Sequence, residues 1–172
     1  MHEIKRATAE ELLAAAKGLA GLLVDTVAAG ASVGFLAPLD PEAAANWWAG
    51  LAPEVSAGAT VLWLALEDGE VLGTVQLRLA DKPNSRHRAD VAKLMVHPRA
   101  RGRGLGRELL ATAERGALAA GRSTLVLDTE TGSPAEGVYR SAGWIEVGVI
   151  PDYATDTAGR LKSTTYFYKL LR

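Results

Sequence analysis

Val96-His97-Pro98-Arg99-Ala100-Arg101-Gly102-Arg103-Gly104-Leu105-Gly106-Arg107 joins an apolar run, Val91 to Val96, to an amphipathic one, Leu105 to Ala120. Glycine alternates with arginine at the junction. Gly102, Gly104 and Gly106 let the backbone curl tightly and approach a ligand closely. The first N–H groups of the helix that follows lack intrahelical acceptors and carry partial positive charge. Arg99, Arg101, Arg103 and Arg107 add full charges. That combination suits a polyanion such as a pyrophosphate. Spacing discriminates among phosphate loops. Arg107 stands where the third glycine of a G-x-G-x-x-G fingerprint would fall, and no Lys-Ser or Lys-Thr pair follows as a P-loop requires. What is present is R-x-x-G-x-G, Arg101 to Gly106, after Leu94-x-Val96-x-Pro98. A Gly/Arg-rich surface loop without a ligand is the plainer reading of the same residues.

Outward from this loop, periodicity and punctuation divide the chain. His2 to Ala7 reads as a short strand. Thr8 with Glu11 forms a capping box for a helix over about 9–29, closed by Gly30. Asp40-Pro41 starts a second helix, bearing Trp47 and Trp48 and ending before Pro53. Thr60 to Leu66 and Val71 to Ala80 are strands about the turn Glu67-Asp68-Gly69-Glu70. Ala89 to Val96 is nearly continuously apolar, as for a strand covered on both faces. Leu105, Leu109, Leu110, Ala113 and Ala117 mark one face of the helix after the loop, which Gly121 ends. Thr124 to Asp128 is a further strand, and Ser133 with Glu136 predicts a capping box for a short helix to about Ala142. Trp144 to Ile150 and Ser163 to Leu170 are strands, with 151–162 as a loop between them. The order β-α-α-β-β-β-α-β-α-β-β is that of a mixed α/β (α+β) protein.

Composition sets the outer limits. A length of 172 residues, 48% of them hydrophobic, suits one domain over 1–172 with a sizeable core. A net charge of −1 makes the arginines near position 100 a local feature and argues against nucleic acid or a membrane surface as a general partner. No apolar run reaches the length of a membrane span, and Met1-His2-Glu3-Ile4-Lys5-Arg6 lacks the apolar segment of a signal peptide. A cytoplasmic protein is the expectation. Zero cysteines exclude disulfides, thiolate metal sites and a cysteine nucleophile, and the scattered His2, His87 and His97 give no metal cluster.

The motif Arg101 to Gly106, in its strand–loop–helix setting, resembles the acyl-CoA pyrophosphate loop of the GNAT superfamily of N-acyltransferases. The element order resembles that fold along essentially the whole chain, best from about Arg88 to Leu170. The resemblance implies a central, mostly antiparallel sheet flanked by helices, whose parallel fourth and fifth strands, here Ala89–Val96 and Thr124–Asp128, splay apart to admit the thioester arm of acetyl-CoA. It implies cofactor contacts at Leu94, Met95 and Val96, made through the main chain with a backbone N–H near Met95 on the thioester carbonyl. It also implies contacts at Arg101, Gly102, Arg103, Gly104, Leu105, Gly106 and Arg107. The segment Ala135-x-x-Val138-Tyr139-x-x-x-Gly143-Trp144 resembles the family stretch whose tyrosine faces the cofactor sulfur, which makes Tyr139 the general-acid candidate. A packing tyrosine is its alternative.

Asp128, at the end of its strand, is the candidate to bind an acceptor ammonium and take its proton. Capping the turn Asp128-Thr129-Glu130-Thr131 is an equal reading. Glu67, Asp90 and Glu130 carry less weight, and His97 and His87 read as structural and solvated. Trp63 and Trp144 read as core. Phe35, Trp47 and Trp48 are the candidates for an acceptor wall, because Val33 to Leu39 and the Trp47-Trp48 region are similar to GNAT members related to the tabtoxin resistance protein. Those acetylate an amino group of a small amino-acid-like toxin. The expected activity is acetyl transfer from acetyl-CoA to the primary amine of a small molecule, by direct attack in a ternary complex. A non-catalytic acyl-CoA-binding module and a protein or peptide N-acetyltransferase are the alternatives. A homodimer is in keeping with the family.

Overall fold

The computed structural model describes residues 1–172. Its elements are β1 (Glu3–Arg6), α1 (Ala9–Ala28), α2 (Pro41–Ala49), α3 (Ala52–Ser56), β2 (Thr60–Glu67), β3 (Glu70–Leu79), β4 (Arg88–Val96), α4 (Leu105–Ala119), β5 (Thr124–Glu130), α5 (Pro134–Ser141), β6 (Ile145–Thr155) and β7 (Leu161–Leu170). One seven-stranded sheet runs β1-β2-β3-β4-β5-β7-β6. Every neighbouring pair is antiparallel except β4 and β5.

Alternation along the strands sends apolar side chains to both faces of the sheet. Leu62 and Leu64 meet Leu12, Leu19, Leu22 and Leu23 of α1 and Trp48 of α2. Val61, Trp63, Val75 and Leu77 meet Leu105, Leu109, Leu110 and Ala113 of α4 on the other side. The stripe read from the sequence is thus the buried face of α4. Gly116 completes the fit, since a Cβ there would lie 2.3 Å from Trp63 Cζ2.

The expected helix starts differ in outcome. At Thr8 both halves of the capping box form, with Glu11 N–H donating to Thr8 Oγ1 at 3.1 Å and Thr8 N–H to Glu11 Oε2 at 2.8 Å. At Ser133 the box does not form. The Ser133 hydroxyl sits 3.2 Å from that of Thr129, and Glu136 instead accepts from Thr165 Oγ1 at 2.6 Å and Arg140 Nη1 at 3.0 Å. A buried hydroxyl on a neighbouring strand and a helical ion pair outcompete the local cap. The helix bearing Trp47 and Trp48 ends at Ala49, before Pro53 as expected, and Pro53 belongs to a separate short helix. It stands in the first turn of α3, where a missing N–H costs nothing.

The loop expected over 151–162 is mostly strand. β6 and β7 continue to a turn, 156–160, in which the Asp156 carboxylate accepts from the Ala158 and Arg160 amides, both at 3.0 Å, and from Arg160 Nε at 2.9 Å. These bonds hold the Asp156 carboxyl below the usual carboxylate range. Pro151 and Asp152 fall in the register shift between Ile150 and Ala154. A bulge is where a strand tolerates proline, which is why the proline-containing stretch reads as loop from sequence alone.

Candidate active site

β4 and β5 pair only at Arg88↔Thr124, Ala89↔Leu125 and Asp90↔Val126. Beyond Asp90 they part. The cause lies on the other side of β4. Thr74 pairs with Met95 and Gln76 with Ala92, so β4 holds one residue more than β3 across this interval. Lys93 occupies the bulge at φ 52°, a left-handed conformation that few residues other than glycine adopt. Such a bulge bends the strand and re-aims a side chain.

A cleft of about 900 Å³ fills the gap. The glycine–arginine loop meets the cleft at Arg101 and Gly106, and within it Gly102 (φ 73°) and Gly104 (φ 82°) use backbone freedom to bring the chain into α4. None of the five amides from Gly102 to Gly106 donates to a backbone carbonyl; the intrahelical bonds begin with Arg107 and Glu108, which both reach Gly104 O at 3.1 Å. A run of unpaired amides at a helix start fits a diphosphate.

The arginines are less available than the sequence suggests. Arg101 lines the cleft, its Nε donating to Val96 O at 3.3 Å. Arg103 pairs with Glu67 at 3.2 Å, Arg99 pairs with Glu70, and Arg107 donates to Ser141 O at 3.0 Å. The Leu105 side chain is core, 2% exposed.

Along β4, Leu94, Met95 and Val96 line the cleft. The Met95 side chain is buried in the core beneath α1, and its carbonyl faces β3, 2.9 Å from where a Gly73 Cβ would lie. His97 N–H donates to Leu72 O on β3 at 2.8 Å. Backbone direction alternates along a strand, so the amide turned toward the gap is that of Val96 rather than Met95.

Tyr139 on α5 and Asp128 on β5 share this cleft. The Tyr139 ring packs against Trp144 and Phe167, with centroids 6.0 and 5.9 Å away. Burial, with a smaller contribution from the Asp128 charge, pushes its phenol up to about 12. It therefore stays protonated across the physiological range, as a hydrogen-bond donor. Asp128 faces Tyr166 across β7 and accepts from Thr164 Oγ1 at 2.9 Å. It caps no turn. β5 runs on to Glu130, and the turn expected from Asp128 begins only at Thr131.

Of the lesser carboxylates, Glu67 is engaged by Arg103. Glu130 lines the cleft with one oxygen buried and unpartnered.

The aromatic set splits. Trp48 is fully buried under α1 and forms no acceptor wall. Consecutive helical residues point about 100° apart, so the neighbour that turns toward β4 is Trp47. Phe35 and Trp47 stack edge-to-face, with centroids 5.2 Å apart. Both flank Lys93, whose Nζ lies 5.9 Å from the Phe35 centroid and 5.4 Å from that of Trp47.

Sequence reading missed Lys93 and, with it, Arg78 of β3, both of which line the cleft. The available signal was a lysine interrupting a strand otherwise suited to burial on both faces. The segment after α1 is tied to the turn of the β6–β7 hairpin by Ala37 N–H on Thr157 O at 2.9 Å.

The sequence pattern of the Acetyltransferase (GNAT) family matches residues 17–144. The chain belongs to the GNAT family of acetyltransferases. As a GNAT protein it is an acyltransferase that uses acetyl-CoA.

Solved structures share the fold. yncA of Salmonella typhimurium, a candidate acetyltransferase determined with its cofactor acetyl-CoA, is 21% identical, with a TM-score of 0.80 and coverage of 99% of this chain and 94% of that one. The ribosomal-protein-alanine N-acetyltransferase of Brucella melitensis is 24% identical, with a TM-score of 0.78 and coverage of 98% and 99%. A candidate phosphinothricin N-acetyltransferase is 19% identical, with a TM-score of 0.80 and coverage of 100% and 99%. No helix of this GNAT chain is long and apolar enough to cross a membrane.

Proposed function

We propose that this GNAT enzyme acetylates the primary amine of a small molecule by direct attack within a ternary complex, with an amino-acid-like toxin or antibiotic as the acceptor class. The observation that carries the reading is one cleft met by a loop of unpaired amides, with both Tyr139 and Asp128 on its walls. The tie between Ala37 and Thr157 joins the segment after α1, whose Val33 and Gly34 line the cleft, to the β6–β7 hairpin, whose Tyr153 and Lys162 also line it; a cleft bounded in this way favours a compact acceptor.

Acetyl-CoA supplies a thioester whose acyl carbon bonds to the acceptor nitrogen as the C–S bond breaks. The amides of Gly102 to Gly106, with Arg101 beside them, hold the diphosphate. The Val96 amide is the donor turned toward the thioester carbonyl, and one such donor is worth about 3 kcal/mol in a dry site. Asp128, oriented by Thr164, binds the acceptor ammonium and takes its proton before passing it to water. Tyr139 donates a hydrogen bond to the departing sulfur. With a phenol at about 12, the proton stays on Tyr139; the nitrogen's second proton leaves after attack through Asp128, freed by passing the first to water, and the thiolate is finally protonated from solvent.

The test is release of CoA thiol in the presence of small amines, peptides and no acceptor. Asp128→Asn is expected to lower kcat about 100-fold or more and Tyr139→Phe about 10- to 100-fold, with acetyl-CoA affinity unchanged in calorimetry. Unchanged turnover where chemistry limits the rate removes these roles. Acetyl-CoA binding with no transfer to any acceptor selects a binding module instead, and transfer to peptides alone selects a peptide acetyltransferase. We also propose a homodimer, for which the edge strand β6 offers exposed Ile145, Val147 and Val149; a monomeric mass in sedimentation would exclude it.

A further inference from the structure

Two cations line the cleft without closing a salt bridge inside the protein. Lys93 and Arg78 both line it, and neither belongs to any ion pair of the protein. Lys93 is half-buried in the β4 bulge, its ammonium held over Phe35 and Trp47 and 3.6 Å from where a Gly34 Cβ would lie. Removing an ammonium from water without a counter-ion is costly, and aromatic faces return only part of that cost. Burial first, and the Arg78 charge second, lower the ammonium to about 8, while Asp128 opposes the shift. Four charges on three strands therefore meet here: Lys93, Arg78 and Asp128, with Asp90 as the register partner of Arg78. No carboxylate closes on Lys93 or Arg78 within salt-bridge distance, and charges left open in a cleft mark sites that a ligand completes.

We propose that Lys93 and Arg78 form an anion-reading subsite that binds a carboxylate or phosphonate on the acceptor while Asp128 takes its ammonium. The proposal rests on the small-amine reading above and narrows it to acceptors carrying both charges. Lys93 and Arg78 do not touch the reacting atoms. They orient the acceptor so that its nitrogen lies toward Asp128.

The experiment measures CoA release from the full chain with three matched acceptor series: α-amino acids, their α-aminophosphonate analogues and their carboxamides. The wild type is expected to prefer the anionic members at least about 10-fold in kcat/KM. In Lys93→Met, which keeps the apolar stem, that preference falls about 10- to 100-fold, the loss of one charge-assisted hydrogen bond, and the fall lies in KM. Arg78→Met acts in the same direction, and Lys93→Arg restores the preference. Carboxylate and phosphonate arms identify which anion the subsite takes.

Acetyl-CoA affinity and the melting temperature are measured on every variant. A wild type indifferent to the anion overturns the subsite and leaves small-amine acetylation standing. So does a Lys93→Met loss that is uniform across the three series, or one that appears as weaker acetyl-CoA binding. Transfer to peptides but to no member of the panel overturns the small-molecule reading, and the subsite with it.

Discussion

Where the glycine–arginine loop meets the cleft, at Arg101 and Gly106, it brings the free amides of a helix start; elsewhere, at Lys93, Arg78 and Asp128, the cleft presents side chains. The first wall meets its ligand with dipoles fixed by covalent geometry and two left-handed glycines. The second uses ionisable groups brought together by β3, β4 and β5. Backbone amides keep their charge distribution at every pH and read any diphosphate alike. Side-chain charges can be exchanged residue by residue. The common cosubstrate falls to the wall made of main chain, and the particular acceptor to the wall made of side chains.

The sharpest way to break this contrast is at Gly104. A valine at φ 82° is strained, and its β-branched side chain would disturb the run of free amides. Gly104→Val is expected to weaken acetyl-CoA at least about 30-fold by calorimetry, roughly the loss of one to two charge-assisted hydrogen bonds. An affinity within threefold of wild type would mean that side chains, not backbone, hold the cosubstrate.

The next effect is one of pH. Lys93 is protonated below its value of about 8 and neutral above it. Between pH 7 and pH 9 the enzyme's preference for carboxylated acceptors over carboxamides should fall by up to about 10-fold, following the protonated fraction of one site. Acetyl-CoA affinity, resting on amides and arginine, should not follow that profile. Lys93→Arg flattens the acceptor profile. A profile unchanged in that variant assigns the titration to another group.

Arg103 makes the smallest effect informative. Its guanidinium is exposed and engaged with Glu67, so Arg103→Ala should change acetyl-CoA affinity less than about threefold, within the range of a screened surface charge. A tenfold loss would return the arginines to the importance their sequence density suggests.

Legibility from sequence follows the range of the interactions. The diphosphate loop is read from consecutive residues because its signals, glycine at turns and a helix start after a strand, are local. Thr8 caps α1 as expected because its partner is three residues away. Ser133 fails as a capping box because Thr165, distant in sequence, claims Glu136. The β6–β7 hairpin hides behind Pro151, since only pairing with β7 reveals that a bulge accommodates it. Trp47 and Trp48 are neighbours in sequence, yet only the packing of α2 against α1 decides that one flanks Lys93 and the other is core. The bulge at Lys93 has no signature in β4 alone, because register is a property of two strands.

Local chemistry therefore sufficed for the element order, the anion-binding loop and the position of Tyr139 after its strand. These depend on backbone conformational preference and short-range periodicity, which each segment carries with it. Where β4 and β5 separate, which carboxylate and which cations meet in the gap, and which amide faces it were decided by tertiary structure. Those outcomes depend on strand register and on competition among partners far apart along the chain, and no single segment encodes either.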